Sequence, residues 1–199
     1  MGRSARTAVL ALGGVPLVVT VAGCSSAVPT GTPGVHRLGR TVLRYVGPEV
    51  ETVLSYRAAN LRQGAEWLLL DVAVTGTGRA SVELKRERIA IRIPSGEVVP
   101  LVTQEEFGQA YPQLAAALAR ADVASEPLDY FMGRRSKGLT FLVAPGSGIA
   151  FNSVWVNDRE VASGRLCFFI SGGVQPGPYE LRIDLRESKV RIPFRLGET

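Results

Sequence analysis

The chain has 199 residues, 46% of them hydrophobic, with 23 basic and 18 acidic side chains and a formal charge of +5. That length and apolar content suffice for one domain with a sizeable core, and so mild a charge gives no basis for a nucleic-acid partner. One histidine and two cysteines supply no His/Cys cluster at zinc spacing and no disulfide framework.

Arg3 and Arg6 precede an apolar run over residues 8–21, interrupted by Gly13, Gly14 and Pro16. A positive start and a short apolar stretch are the layout of a secretory signal, and the run barely reaches the ~20 residues that a spanning helix needs. It closes on Val21, Ala22, Gly23 and Cys24. This ending resembles the lipobox of bacterial lipoproteins. The resemblance implies a signal peptide over residues 1–23, removed before Cys24, and lipid (palmitate among its acyl chains) on that cysteine. It places the domain in the cell envelope, anchored to the extracytoplasmic side of a bacterial membrane, periplasmic or at the cell surface. Several acyl chains make such an anchor durable. Ser25, rather than Asp, then follows the lipidated residue, which resembles the outer-membrane sorting pattern of Gram-negative lipoproteins.

Without residues 1–23, which carry two arginines and no acid, the formal charge falls from +5 to +3. With Cys24 committed to lipid, Cys167 has no partner in the chain. Its surroundings, Leu166, Phe168, Phe169 and Ile170, predict a buried and inert thiol. Residues 25–34, SSAVPTGTPG, hold no charge and read as a linker. We take residues 24–37 as lipidated cysteine and flexible tether, and 38–199 as the folded domain.

Beyond the tether the pattern is mostly period two. Residues 38–46 and 50–56 are short apolar stretches separated by Gly47 and Pro48. Residues 66–75, EWLLLDVAVT, are apolar enough for a central strand. Over residues 82–93, Ile89, Ile91 and Ile93 face one way and Arg88 and Arg92 the other. Pro94, Ser95, Gly96 and Glu97 form a turn, and residues 98–102 pair back as a hairpin. Thr103 and Glu106 then match a capping box, and Phe107, Ala110, Tyr111, Leu114, Leu118 and Ala121 follow at helical spacing. Pro112 predicts one kinked helix or two short ones over about 104–121. Strands are expected again at 138–143, 149–156, 165–170, 179–185 and 189–196. Val154 to Val161 read as a hairpin with Asn157 and Asp158 in its turn.

Residues 66–75, the stretch from Ile89 to Pro94 with Ser95 and Gly96, residues 164–170 (GRLCFFI) and residues 179–183 (YELRI) together resemble a group of bacterial lipoproteins with an immunoglobulin-like, telokin-like domain. The resemblance spans roughly residues 38–196. It implies a mainly β fold, an immunoglobulin-like β-sandwich with a short helical insertion at 104–121, and carries no catalytic residues. Two departures stand out. Gly76 follows the long central strand where Asn is usual, and the helix is an addition.

Catalytic machinery is sparse. Ser147 lacks the G-x-S-x-G frame of a nucleophile elbow, and His36 falls in the tether, far from any serine or cysteine of the domain. Asn157, Asp158 and Glu160 offer oxygens but not a full calcium loop. We therefore expect no catalytic residue, no metal site and no cofactor. The candidate binding loop is Tyr130, Phe131, Arg134, Arg135 and Lys137, where cations beside aromatics can grip an anionic lipid head group, a glycan acid or an acidic protein surface, with Asp129 or Glu126 as partial neutralisers. A solvated turn is the plainer reading of the same loop. The function expected is a non-catalytic protein-binding or scaffolding module with an envelope-protein partner. The alternative is a small-ligand or lipid-binding protein with a pocket under the helical insertion.

Overall fold

The computed structural model describes residues 28–29, 31–125, 128 and 130–197. The expected signal peptide and Cys24 lie outside the described residues. Strand accounts for 42% of the structure and helix for 17%.

The chain opens with an antiparallel meander of β1 (Val28–Pro29), β2 (Val35–Arg37), β3 (Val42–Val46) and β4 (Val50–Ser55). The short helix α1 (Arg57–Asn60) leads into β5 (Trp67–Gly76). Next come β6 (Val82–Lys85), a 3-10 turn at Arg86–Arg88, β7 (Ile89–Arg92), β8 (Val98–Pro100) and α2 (Gln104–Ala124). The last third holds β9 (Arg135–Gly138), β10 (Ser153–Val156), β11 (Glu160–Phe169), β12 (Gly177–Asp184) and β13 (Lys189–Leu196). Among the described residues these strands form a seven-stranded sheet β1-β2-β3-β4-β5-β11-β9, a four-stranded sheet β13-β12-β7-β8 and the pair β10-β6. All neighbours are antiparallel except β9 and β11.

The alternation of side chains explains the layers. On β5, Leu68, Leu70, Val72 and Val74 enter the same core as Ile91, Leu181, Ile183 and Ile192 of the four-stranded sheet. Each such Leu or Ile contributes about 1.5–3 kcal/mol when fully buried. On the opposite face of β5, Leu69 packs under Phe107, Leu114, Ala117 and Ala121 of α2, and Ala73 packs with Phe131, Val53 and Val161. Both faces of β5 are covered, so its sequence is apolar almost without interruption. The outer face of the four-stranded sheet is polar instead: Arg92 and Arg182 reach Glu180, at 3.7 and 3.6 Å.

Helix α2 begins as its sequence requires. Glu106 N donates to Thr103 Oγ1 at 3.1 Å, and Thr103 N donates to Glu106 Oε2 at 2.7 Å. The helix is a single element that runs past residue 121 to Ala124, with Pro112 inside it. Pro112 is exposed, so the carbonyl it leaves without an intrahelical donor is on the side where water can replace the lost bond.

Several expectations are corrected. The domain begins before residue 38: β1 and β2 are paired, and Val35 is fully buried. Gly34 makes this possible, at φ +76° with Val46 O only 2.5 Å from where a Cβ would stand. Residues 154–161 are not a hairpin. Strand β10 pairs with β6 while β11 pairs with β5, so the turn at Asn157 and Asp158 carries the chain between sheets. Residues 82–93 are two strands, because the 3-10 turn sends β6 and β7 to different sheets. The strand expected at 138–143 lies earlier, at Arg135–Gly138. Leu139 and Phe141 still enter the core, but beyond Gly138 only Leu139 N reaches β11, donating to Ser163 O at 2.7 Å. The strand expected at 149–156 is confined to its last four residues.

Candidate functional site

The expected binding loop lies along the outer face of β5 and β11. Phe131 is buried against Ala73 and Val161 and anchors the loop. Tyr130 is half exposed and Met132 is 90% exposed. The Arg134 guanidinium stands 5.2 Å from the Phe131 ring centroid, a cation–π distance, and donates to Thr75 Oγ1. Arg135 and Lys137 belong to the edge strand β9, with side chains on one face two residues apart. Both engage Glu160 of β11: Arg135 through Oε1, and Lys137 through Oε2 at 2.8 Å. The Lys137 ammonium, then the Arg135 guanidinium, holds the Glu160 carboxyl below its ordinary value. All five residues are therefore brought together. The charge of Arg135 and Lys137 is met by Glu160, while Asp129 and Glu126 lie outside the described residues.

The turn at Asn157–Glu160 organises this region. Thr75 Oγ1 lies 2.8 Å from Glu160 O and 3.1 Å from Asn157 O. Gly76 N donates to Asn157 O at 3.1 Å, and Asp158 N to Gly78 O at 2.9 Å. Asn157 Oδ1 accepts from Arg159 N at 2.9 Å. Asn157 Oδ1 is thus taken by the backbone and the Glu160 carboxylate by two cations. No group of three or more His, Cys, Asp or Glu side chains placed to hold a metal ion occurs among the described residues.

On the other side of this turn opens a groove of about 620 Å³, lined by Pro48, Glu49, Gly78, Ser81, Glu83, Lys85, Arg88, Trp155 and Glu187. Trp155 is 52% exposed. The alternation of β10 explains why: Val154 and Val156 are buried, so Trp155 must point outward. That signal was present in the sequence, although a tryptophan amid valines reads first as core. Phe151 is exposed as well.

A third region lies between α2 and the sheet. Arg165 Nε donates to Asp71 Oδ1 at 2.8 Å, and Arg165 Nη1 donates to Asp122 Oδ1 at 2.6 Å. Ser125 Oγ donates to Asp71 Oδ2 at 2.9 Å. Burial pulls against the guanidinium's charge, yet the bonds to Asp71 and Asp122 hold its pKa above the ordinary value. An open cavity of about 350 Å³ adjoins this network, lined by Phe107, Tyr111, Leu118, Leu142, Arg165 and Cys167 among others. Burial pushes the Cys167 thiol up to about 12. At that value it is neither nucleophile nor ready ligand at neutral pH. His36 lies on β2, paired opposite Arg44 of β3.

Comparison with known protein families, with curated proteins and with solved structures returned no match.

Proposed function

We propose that this chain is a membrane-anchored lipoprotein of the bacterial cell envelope, lipidated on Cys24, and that it serves as a non-catalytic protein-binding or scaffolding module. On this reading the two sheets that share one core are an immunoglobulin-like β-sandwich, with α2 as an insertion across its outer face. The observation that carries the proposal is the surface around the Asn157–Glu160 turn. Arg135 N donates to Arg159 O on one side of it, and Asp158 N to Gly78 O on the other. The turn therefore joins the Tyr130–Lys137 region to the Trp155 groove. Half-exposed Tyr and Trp with Arg at one end of a domain are the composition of a protein interface, where a few aromatic and Arg anchors carry most of the binding energy. Co-purification from host cells tests the proposal. Wild-type protein should retain an envelope protein that is lost on Trp155→Ala and weakened by Arg134→Ala with Arg135→Ala. Equal retention by all three proteins would contradict it.

The cavity beside α2 supports a second reading, a small-ligand or lipid site. Its apolar lining, Phe107, Tyr111, Leu118 and Leu142, meets the Arg165–Asp122 ion pair. Native mass spectrometry of protein purified from its host separates the two readings, because a bound small molecule would add a defined mass.

A further inference from the structure

We infer that the end of the domain carrying Arg37, Arg40, Arg57 and Leu61 lies against an anionic lipid surface. The inference rests on the proposed anchoring at Cys24. Val28 stands opposite Arg37 and Pro29 opposite His36. Traced towards the N-terminus, β1 therefore leads out past Arg37 towards Leu38 and Arg40. Three residues, Ser25, Ser26 and Ala27, separate Cys24 from Val28. At about 3.3–3.6 Å per residue that is a reach of no more than about 14 Å. A lipid on Cys24 thus tethers this end within about 14 Å of the bilayer, close enough to come within the ~10 Å over which surface charge acts at ~0.1 M salt.

The chemistry of this end suits that position. Residues 25–48 hold Arg37, Arg40 and Arg44 and no acid, and residues 52–65 hold Arg57 and Arg62 and no acid; Glu49 and Glu51 fall between them, and Glu51 pairs with Arg44. Tyr56 ties the Arg37–Thr41 turn to the end of β4. Its hydroxyl donates to Arg40 O at 2.8 Å and accepts from Arg37 Nη1 at 3.4 Å, and its N donates to Thr41 O at 3.0 Å. Arg37 Nη1 also donates to Arg40 O at 3.1 Å. These partners of Arg37 are neutral, so its charge is held in place rather than cancelled. Arg57 opens α1 directly after Tyr56, and Leu61, 66% exposed, follows the helix. Arg37, held by neutral partners, and exposed Arg40, at the same end as an exposed aliphatic side chain, match a headgroup layer with acyl chains beneath it. A basic side chain near an anionic membrane is worth about five-fold in partitioning.

The test uses the acylated protein purified from its host and reconstituted into vesicles. Mass spectrometry of the N-terminal peptide first reports whether Cys24 carries acyl chains. A fluorophore is then placed on Leu61→Cys or, at the opposite end, on Ser81→Cys; Cys167 is buried and does not compete. Quenching by spin-labelled lipid should be strong at position 61 and absent at position 81 in phosphatidylglycerol vesicles. It should fall to the phosphatidylcholine level in R37Q/R40Q or in high salt. Equal quenching at both positions, or no effect of charge or salt, in protein with acylated Cys24 overturns this inference and leaves the anchor standing. An N-terminal peptide without acyl chains overturns both.

Discussion

Arg165 and Asp71 stand directly opposite one another on β11 and β5, joined by a 2.8 Å ion pair in which both side chains are largely buried. Arg165 also reaches α2, donating to Leu118 O at 3.3 Å and to Asp122. One guanidinium thus fastens the helix to the sheet. Arg165→Leu would leave the Asp71 carboxylate buried without its cation, which costs about 3–5 kcal/mol. Replacing both residues with leucine removes the stranded charge and should recover much of that loss. Urea midpoints of the two variants check this.

Gly76 and Asn157 set the position of the turn that joins the two candidate binding surfaces. A Cβ on residue 76 would lie 2.6 Å from Asn157 Cα. Gly76→Ala should therefore destabilise the domain by about 1–3 kcal/mol, the range for overpacking. It should also weaken partner capture, because the turn must move. A melting curve and a capture assay on the same variant separate the two effects.

Acid should loosen α2 at its first turn. The bond from Thr103 N, then that from its hydroxyl, hold the Glu106 carboxyl below its ordinary 4.5. A depressed carboxyl contributes stability that is complete above the ordinary value and is lost as pH falls through the folded value. Glu106→Ala should therefore lower the melting temperature at pH 7. The gap to wild type should close progressively below pH 4.5. Asp184, held low first by its bond to Arg191, changes in the same direction.

Cys167 should be silent in the folded protein. With its pKa pushed up to about 12 by burial, iodoacetamide at pH 8 should leave the native thiol unmodified and alkylate it in denaturant. The labelling rate in intermediate urea should follow unfolding.

The two cation contacts on Glu160 contribute little to stability. Arg135 is 80% exposed, and water and salt screen an exposed pair. Arg135→Ala should thus leave the melting temperature nearly unchanged, and any loss of partner capture by that variant can be assigned to the surface itself. Arg134→Ala also removes the bond to Thr75 and the contact with Phe131, so a small drop is expected for the double variant.

How much of this was legible in the sequence follows from the physics of each element. Strand β5 declared itself because both of its faces are covered, and α2 because Thr103 and Glu106 cap it locally. The hairpin of β7 and β8 needed only its own turn. The pairings of β9 and β10 were hidden. Period two identifies a strand but not its neighbour, so Val154 to Val161 looked like a hairpin although β10 joins β6. Arg135–Gly138 has a poor strand composition and becomes a strand through parallel pairing with Glu160–Ser163. The aromatic and basic composition of the candidate loop was plain. The pairing of Arg135 and Lys137 with Glu160 was not, because that partner comes from a strand more than twenty residues away. Asp71 within LLLDVAV signalled a buried charge, yet its partner Arg165 lies 94 positions later.

Site-specific photocrosslinking in living host cells tests the central claim most directly. A photoreactive residue at Ser81, beside the Trp155 groove, is compared with one at Asp184 on the outer face of the four-stranded sheet. The account predicts a discrete adduct with an envelope protein from position 81, none from position 184, and loss of the adduct on Trp155→Ala. The same adduct from both positions, or one indifferent to Trp155, would contradict a binding module built around this turn.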